Sequence, residues 1–150
     1  MSESKKNTVY LKDYQAPAFE IEQVELTFQL FEDGATVLSS QNITRKVVSD
    51  KCDLVLDGEE LELRELRVDG RILDEAEYSV TDSALSIFNL PDKFTLECET
   101  WIKPQENKRL EGLYKSSSMF CTQCEAEGFR RVTYYLDRPD VMTVFKTRIE

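Results

Sequence analysis

The densest chemistry in the sequence is the run Cys121-Thr122-Gln123-Cys124, followed at once by Glu125 and Glu127. A CxxC pair can act as a redox dithiol when its first thiol opens a helix after a buried strand, in a βαβ setting. Here the flanking sequence reads as strand, and Glu125 and Glu127 would raise thiol pKa values rather than lower them. A zinc ribbon needs a second CxxC, whereas Cys52 and Cys98 stand alone. The plain alternative is two thiols packed beneath a loop. Glu111, Glu125 and Glu127 could supply a carboxylate pair for acid–base work, or be ordinary solvated acids. Gln123 and Glu125 offer something more specific. They are two residues apart, so in an extended segment both side chains point the same way. A carboxylate beside an amide oxygen is a good receptor for an ammonium group, because one supplies charge and the other a directed acceptor.

Other chemistries are excluded by residue type. The sequence contains no histidine. It therefore has no histidine general base, no Ser-His-Asp triad and no HExxH zinc site. Neither GxGxxG nor GxxxxGK is present, and there are five glycines in all. No metal ligand set is expected within this chain.

The 150 residues suit one domain with a hydrophobic core. Hydrophobic residues make up 41% and charged residues 32%, a globular balance. The net charge of −10 argues against nucleic acid as a partner, since phosphates are neutralised by clustered Lys and Arg. It argues equally against an anionic membrane surface. Acidic charge serves solubility, or attracts a cationic ligand. No apolar run approaches the roughly 20 residues of a membrane helix. No apolar segment follows the lysines of the polar first seven residues, so no secretory signal is visible. With four cysteines and no such signal, a reduced, cytoplasmic protein is expected.

The elements that must position Gln123 and Glu125 read as strands. Val24, Leu26, Phe28 and Leu30 alternate with Glu25, Thr27 and Gln29, the period of a strand with one buried face. Phe19 and Ile21 fall on the opposite parity, so a bulge is expected near Glu22–Gln23. Glu32-Asp33-Gly34 marks a turn, and residues Ala35 to Val48 run back as a second strand. Shorter strands are expected over 53–56, 61–68, 78–80, 84–88 and 94–102. Asp57-Gly58 and Asp69-Gly70 punctuate them, and Pro91 separates the last two. No amphipathic helix is evident over 1–110. After Pro104 a polar loop leads to an expected strand over 113–120, an irregular acidic stretch over 121–128 and a short helical turn within 128–135. A last strand over 141–149 has Val141, Thr143, Phe145 and Thr147 alternating. Many short strands with regular turns describe an all-β sandwich of mostly antiparallel strands.

Residues Leu110 to Asp140, LEGLYKSSSMFCTQCEAEGFRRVTYYLDRPD, resemble the amino-terminal domain of the aminopeptidase N branch of the gluzincin zinc aminopeptidases. Weaker similarity extends through Asn89-Leu90-Pro91 and Tyr14-Gln15-Ala16-Pro17, so the resemblance spans nearly the whole chain. It implies an all-β, saddle-like domain packed beside a thermolysin-like catalytic domain. It also implies that Gln123 and Glu125 enter the active-site cleft and bind the substrate's free α-amino group, with Glu125 as the anionic anchor. The implied partners are the catalytic domain of the same polypeptide and peptide amino termini. Zinc, its ligands and the catalytic glutamate would belong to that following domain, leaving this chain inactive alone. In the resembled family the β-domain continues beyond the position of Glu150. Since the chain stops there, directly after a strand, it is expected to be a truncated domain of a longer enzyme. The alternatives are a stand-alone β-sandwich binding module and a redox protein using Cys121 and Cys124.

Overall fold

A computed structural model describes residues 10–47 and 51–150. Strand β1 (Phe19–Leu30) is the long alternating segment, and it pairs antiparallel with β2 (Ala35–Arg45) across the Glu32–Gly34 turn. Their register shifts between Ile21 and Gln23. That bulge brings Phe19 and Ile21 onto the buried side with Val24, Leu26 and Phe28, as the parity break in the sequence requires. The end of the second expected strand, Val48, lies outside the described residues; within them β2 ends at Arg45.

Six further strands build the middle of the chain. β3 (Leu54–Asp57) and β4 (Glu62–Val68) come first, then the two-residue β5 (Arg71–Ile72) and β6 (Tyr78–Val80). Between β4 and β5, Asp69 and Gly70 both take positive φ, 50° and 79°, as a tight hairpin turn of the primed type demands. β7 (Ala84–Ile87) and β8 (Lys93–Ile102) follow. β4 carries its own register shift between Leu63 and Glu65, where the apolar residues of the sequence change parity. Two sheets result. The larger has the order β11-β1-β2-β8-β4-β5, where β11 is Val144–Ile149, and the smaller has the order β3-β7-β6. Every pairing is antiparallel except β1 with β11, which is parallel.

One core joins the two sheets. Val37, Ile43 and Leu96 of the larger sheet and Leu54, Leu56, Leu85 and Ile87 of the smaller belong to the same buried cluster. Burying each such side chain stabilises the fold by about 1.5–3 kcal/mol before conformational entropy is counted. Residues Val132 to Asp137 thread this core and bond to both sheets. Thr133 donates to Ser39 and the Tyr134 carbonyl accepts from Gln41, both on β2, while Tyr135 forms an antiparallel bridge with Asp57 of β3. The described residues contain only short 3-10 turns as helical structure, at Leu11–Asp13, Glu75–Glu77 and Phe129–Arg131.

The structure revises two expectations in the last third and bears out a third. The single strand over 113–120 is a hairpin, β9 (Gly112–Ser116) and β10 (Met119–Gln123), with Ser117 at φ 57° in the loop between them. β10 therefore takes in Cys121–Gln123, and the irregular stretch begins only at Cys124. The short helical turn expected within 128–135 forms at Phe129–Arg131, and the residues after it are drawn into the core. Finally, the strand expected over 141–149 begins only at Val144. β11 lies at the sheet edge with all six residues exposed, and Phe145 alone packs back, its ring centroid 5.5 Å from that of Phe129 and 5.9 Å from that of Tyr135.

Candidate functional site

The β9–β10 hairpin delivers Gln123 to its open end, opposite Gly112. Beyond Gln123 the chain turns sharply instead of continuing extended. The Gly128 amide donates to the Cys124 carbonyl at 2.9 Å, closing a turn over Glu125, Ala126 and Glu127. Gln123 and Glu125 thus do not sit as neighbours on one strand face. They are brought together across the turn, where the Gln123 side-chain amide nitrogen donates to the Glu125 carbonyl at 3.2 Å. Spending the nitrogen on the loop's own backbone leaves the Gln123 carbonyl oxygen as the end that can accept from a ligand. Both residues are exposed, and Glu125 makes no ion pair among the described residues. Its neighbour Glu127 lies 3.5 Å from Arg130.

Two glycines let this loop lie flat against its support. A Cβ on Gly128 would fall 2.5 Å from the Gln123 carbonyl oxygen and 3.1 Å from the Cys124 Cα. A Cβ on Gly112, whose φ is +73°, would fall 2.8 Å from the Arg131 Cβ. Three backbone stretches therefore meet at van der Waals distance, and only hydrogen in place of a side chain permits it.

Behind the loop lies a cluster of paired charges that sequence reading does not single out. The Arg131 side chain is 7% exposed, and its Nε donates to Glu111 at 3.1 Å. Its Nη2 donates to Glu59, and Nη1 stands 3.1 Å from a Glu60 oxygen without hydrogen-bond geometry. Arg130 binds Asp137 through Nε at 3.0 Å and through its backbone amide at 3.1 Å. The consecutive arginines after CxxCxxxGF were the signal available in the sequence. What it lacked was the fold that brings Glu59 and Glu60 from some seventy residues away. Of the acidic trio, Glu111 belongs to this cluster and stands apart in role from Glu125, so the three do not form an acid–base pair.

The two thiols of the CxxC are free, as are Cys52 and Cys98. Cys124 is half-buried beneath the loop. Burial, reinforced by the charge of Asp137, pushes its thiol above the ordinary range. Such a site disfavours the thiolate that redox exchange needs. Among the described residues no three His, Cys, Asp or Glu side chains are grouped as a metal site. With no histidine in the chain, the donor set does not suit a catalytic zinc. No described helix is long and apolar enough to cross a membrane.

A two-sheet β-domain with a hairpin-borne loop of this sequence defines a class. The chain belongs to the Peptidase M1 N-terminal domain family, whose pattern matches residues 13–150. It is 45% identical over 142 residues to aminopeptidase N of Caulobacter vibrioides, covering 95% of this chain and 16% of that protein. It superposes on Legionella pneumophila aminopeptidase A, solved in complex with aspartic acid, with a TM-score of 0.86 and 34% identity. That match covers 93% of this chain and 17% of the other. An M1 zinc metallopeptidase from Deinococcus radiodurans shares the fold alone, at a TM-score of 0.72 and 14% identity over 89% of this chain and 32% of that one. The chain thus spans about a sixth of the length of the aminopeptidase N it matches.

Proposed function

We propose that this domain holds the free α-amino group of a peptide in the cleft of a zinc aminopeptidase, with Glu125 as anionic anchor and Gln123 as directed acceptor. The observation that carries this reading is the Glu125 carboxylate. It is exposed and without a cation among the described residues, on a loop whose backbone is locked to its hairpin and to Gln123. The names of the matched relatives, aminopeptidases N and A, support the same assignment. So does the aspartic acid bound to the Legionella enzyme, since a free amino acid carries an α-ammonium group. Zinc and the hydrolytic groups would reside in a separate catalytic domain of the same polypeptide, and this chain would supply none of them.

The chemistry is one of measurement as well as affinity. Fixing the ammonium group fixes how far the first peptide bond lies from it, so that bond alone meets the reacting centre. A blocked or internal peptide would leave the Glu125 carboxylate desolvated without a partner, a cost that shape alone does not impose. In the enzyme, Glu125→Ala is expected to lower kcat/KM on an unblocked dipeptide by on the order of 2–5 kcal/mol, once closure of the cleft removes water from the pair. Gln123→Ala should cost about 1 kcal/mol, the worth of a neutral acceptor. Unchanged kcat/KM for Glu125→Ala on that dipeptide would overturn the assignment.

A further inference from the structure

We propose that Arg131 is a positioning residue for amine recognition: by binding Glu111, Glu59 and Glu60 it clamps the root of the β9–β10 hairpin and so sets where Gln123 and Glu125 stand. The inference rests on the amine-anchor reading above. Glu111 immediately precedes Gly112, and Gly112 pairs with Gln123, so whatever fixes Glu111 fixes the strand position facing the site residue. Glu59 and Glu60 lie between β3 and β4, a part of the domain whose backbone is anchored in the core by the Asp57–Tyr135 bridge. Arg131 thus joins a rigid element to the root of the loop-bearing hairpin through its guanidinium fork.

The geometry makes the clamp two-sided. The Arg131 side chain reaches the three carboxylates, while its own Cβ lies where a side chain on Gly112 would have to go. Moving Arg131 therefore moves the Gly112 backbone as well as the Glu111 carboxylate. Glu60 also faces Arg109 at 3.1 Å. Glu59 in turn lies 3.9 Å from Arg130, so three carboxylates face three guanidinium groups, of which Arg131 alone reaches all three. Removing it leaves Glu111 without its cation, and leaves Glu59 and Glu60 with only the more distant Arg130 and the exposed Arg109. Repulsion would then open the gap between Glu111 and the Glu59–Glu60 segment. A lysine would keep the charge but could not bridge separate carboxylates with a planar fork.

The test uses the enzyme in which this domain is joined to its catalytic domain, with two competitive probes. Leucinol carries a free amine and no bond to hydrolyse; isohexanol is the same alcohol without the amine. The ratio of their inhibition constants reports amine recognition and does not depend on what fraction of the enzyme is folded. Glu125→Ala should collapse this ratio toward one. Arg131→Met should reduce it by about tenfold, the kind of loss that a sub-ångström to ångström displacement produces. Arg131→Lys should restore part of it. A wild-type ratio in Arg131→Met, alongside a collapsed ratio in Glu125→Ala, overturns the positioning role and leaves the amine anchor standing. A wild-type ratio in Glu125→Ala itself overturns both. Should Arg131→Met fail to fold, Glu111→Gln decides by the same criterion, since that side chain is half exposed and its loss removes the hairpin end of the clamp.

Discussion

Along β1, β2 and β8 the interior is mostly apolar, with Val24, Val37, Ile43 and Leu96 fully buried and the inward polar residues Ser39, Gln41 and Thr100 set among them. From Glu111 to Asp137 the chain is held differently. Two arginines stand within ion-pair distance of six carboxylates there, and two glycines bring three backbone stretches into contact. The sheet gains its stability from area removed from water, which is large and tolerant of small displacements. The loop support gains position from directed, charge-assisted bonds, which are sensitive to angle and distance. The difference suits the proposed role, in which the sheet need only persist while the loop would present one carboxylate at one place.

The comparison breaks most readily in the sheet. Leu26→Ala should lower the unfolding free energy by about 2–5 kcal/mol, because the site lies on the central face of β1 and cannot collapse without disturbing its neighbours. Urea unfolding of the purified chain measures this, and amide chemical shifts at 123–128 should hardly change. A loss near zero would mean the β1 register is wrong. Gly128→Ala should act in the opposite manner. The added methyl group meets backbone atoms of Gln123 and Cys124, which have no side-chain freedom with which to yield. A loss of about 1–3 kcal/mol is expected, with the amide shifts of Gln123 and Cys124 moving while those of β1 stay. Unmoved loop shifts would show that the three-way backbone contact does not hold the loop.

This division also explains what could be read in the sequence. The parity break between Ile21 and Val24 specified a bulge, and the alternation of Val24, Leu26 and Phe28 specified the buried face of β1, because both are local patterns imposed by one period. Asp69-Gly70 specified its turn for the same reason. The loop support was not legible. Glu59 and Glu60 look like surface acids until the fold brings them to Arg131, and Val132-Thr133-Tyr134-Tyr135 carries no period announcing that it threads between sheets. β11 was legible as a strand, but alternation reveals only that a strand forms and not whether a second layer covers it. Gln123 and Glu125 were picked out by type and spacing. Their juxtaposition across a turn, rather than along a strand, depended on Gly128 and on the hairpin.

The smallest expected effect concerns a charge pair on the sheet's edge, and it tests whether the Arg131 cluster owes its role to charge or to burial. Arg71 holds Glu77 with two bonds, at 2.7 and 2.8 Å, a better fork than any single carboxylate gives Arg131. The Arg71 bond, aided by the Asp74 backbone amide, lowers the Glu77 pKa to about 2. A carboxyl group whose folded pKa is depressed stabilises the fold above its unfolded pKa, 4.5 here, and loses that contribution as pH falls toward 2. Yet Arg71 is largely in solvent, where water and salt screen the attraction and ordering two side chains offsets much of the gain. Glu77→Gln should therefore leave stability at neutral pH nearly unchanged and only soften the acid limb between pH 4.5 and 2. Urea titrations of both proteins at matched pH values check it. A neutral-pH loss as large as that of Leu26→Ala would show that charge pairing alone, without burial, holds this domain together, and the contrast between sheet and loop support would fall.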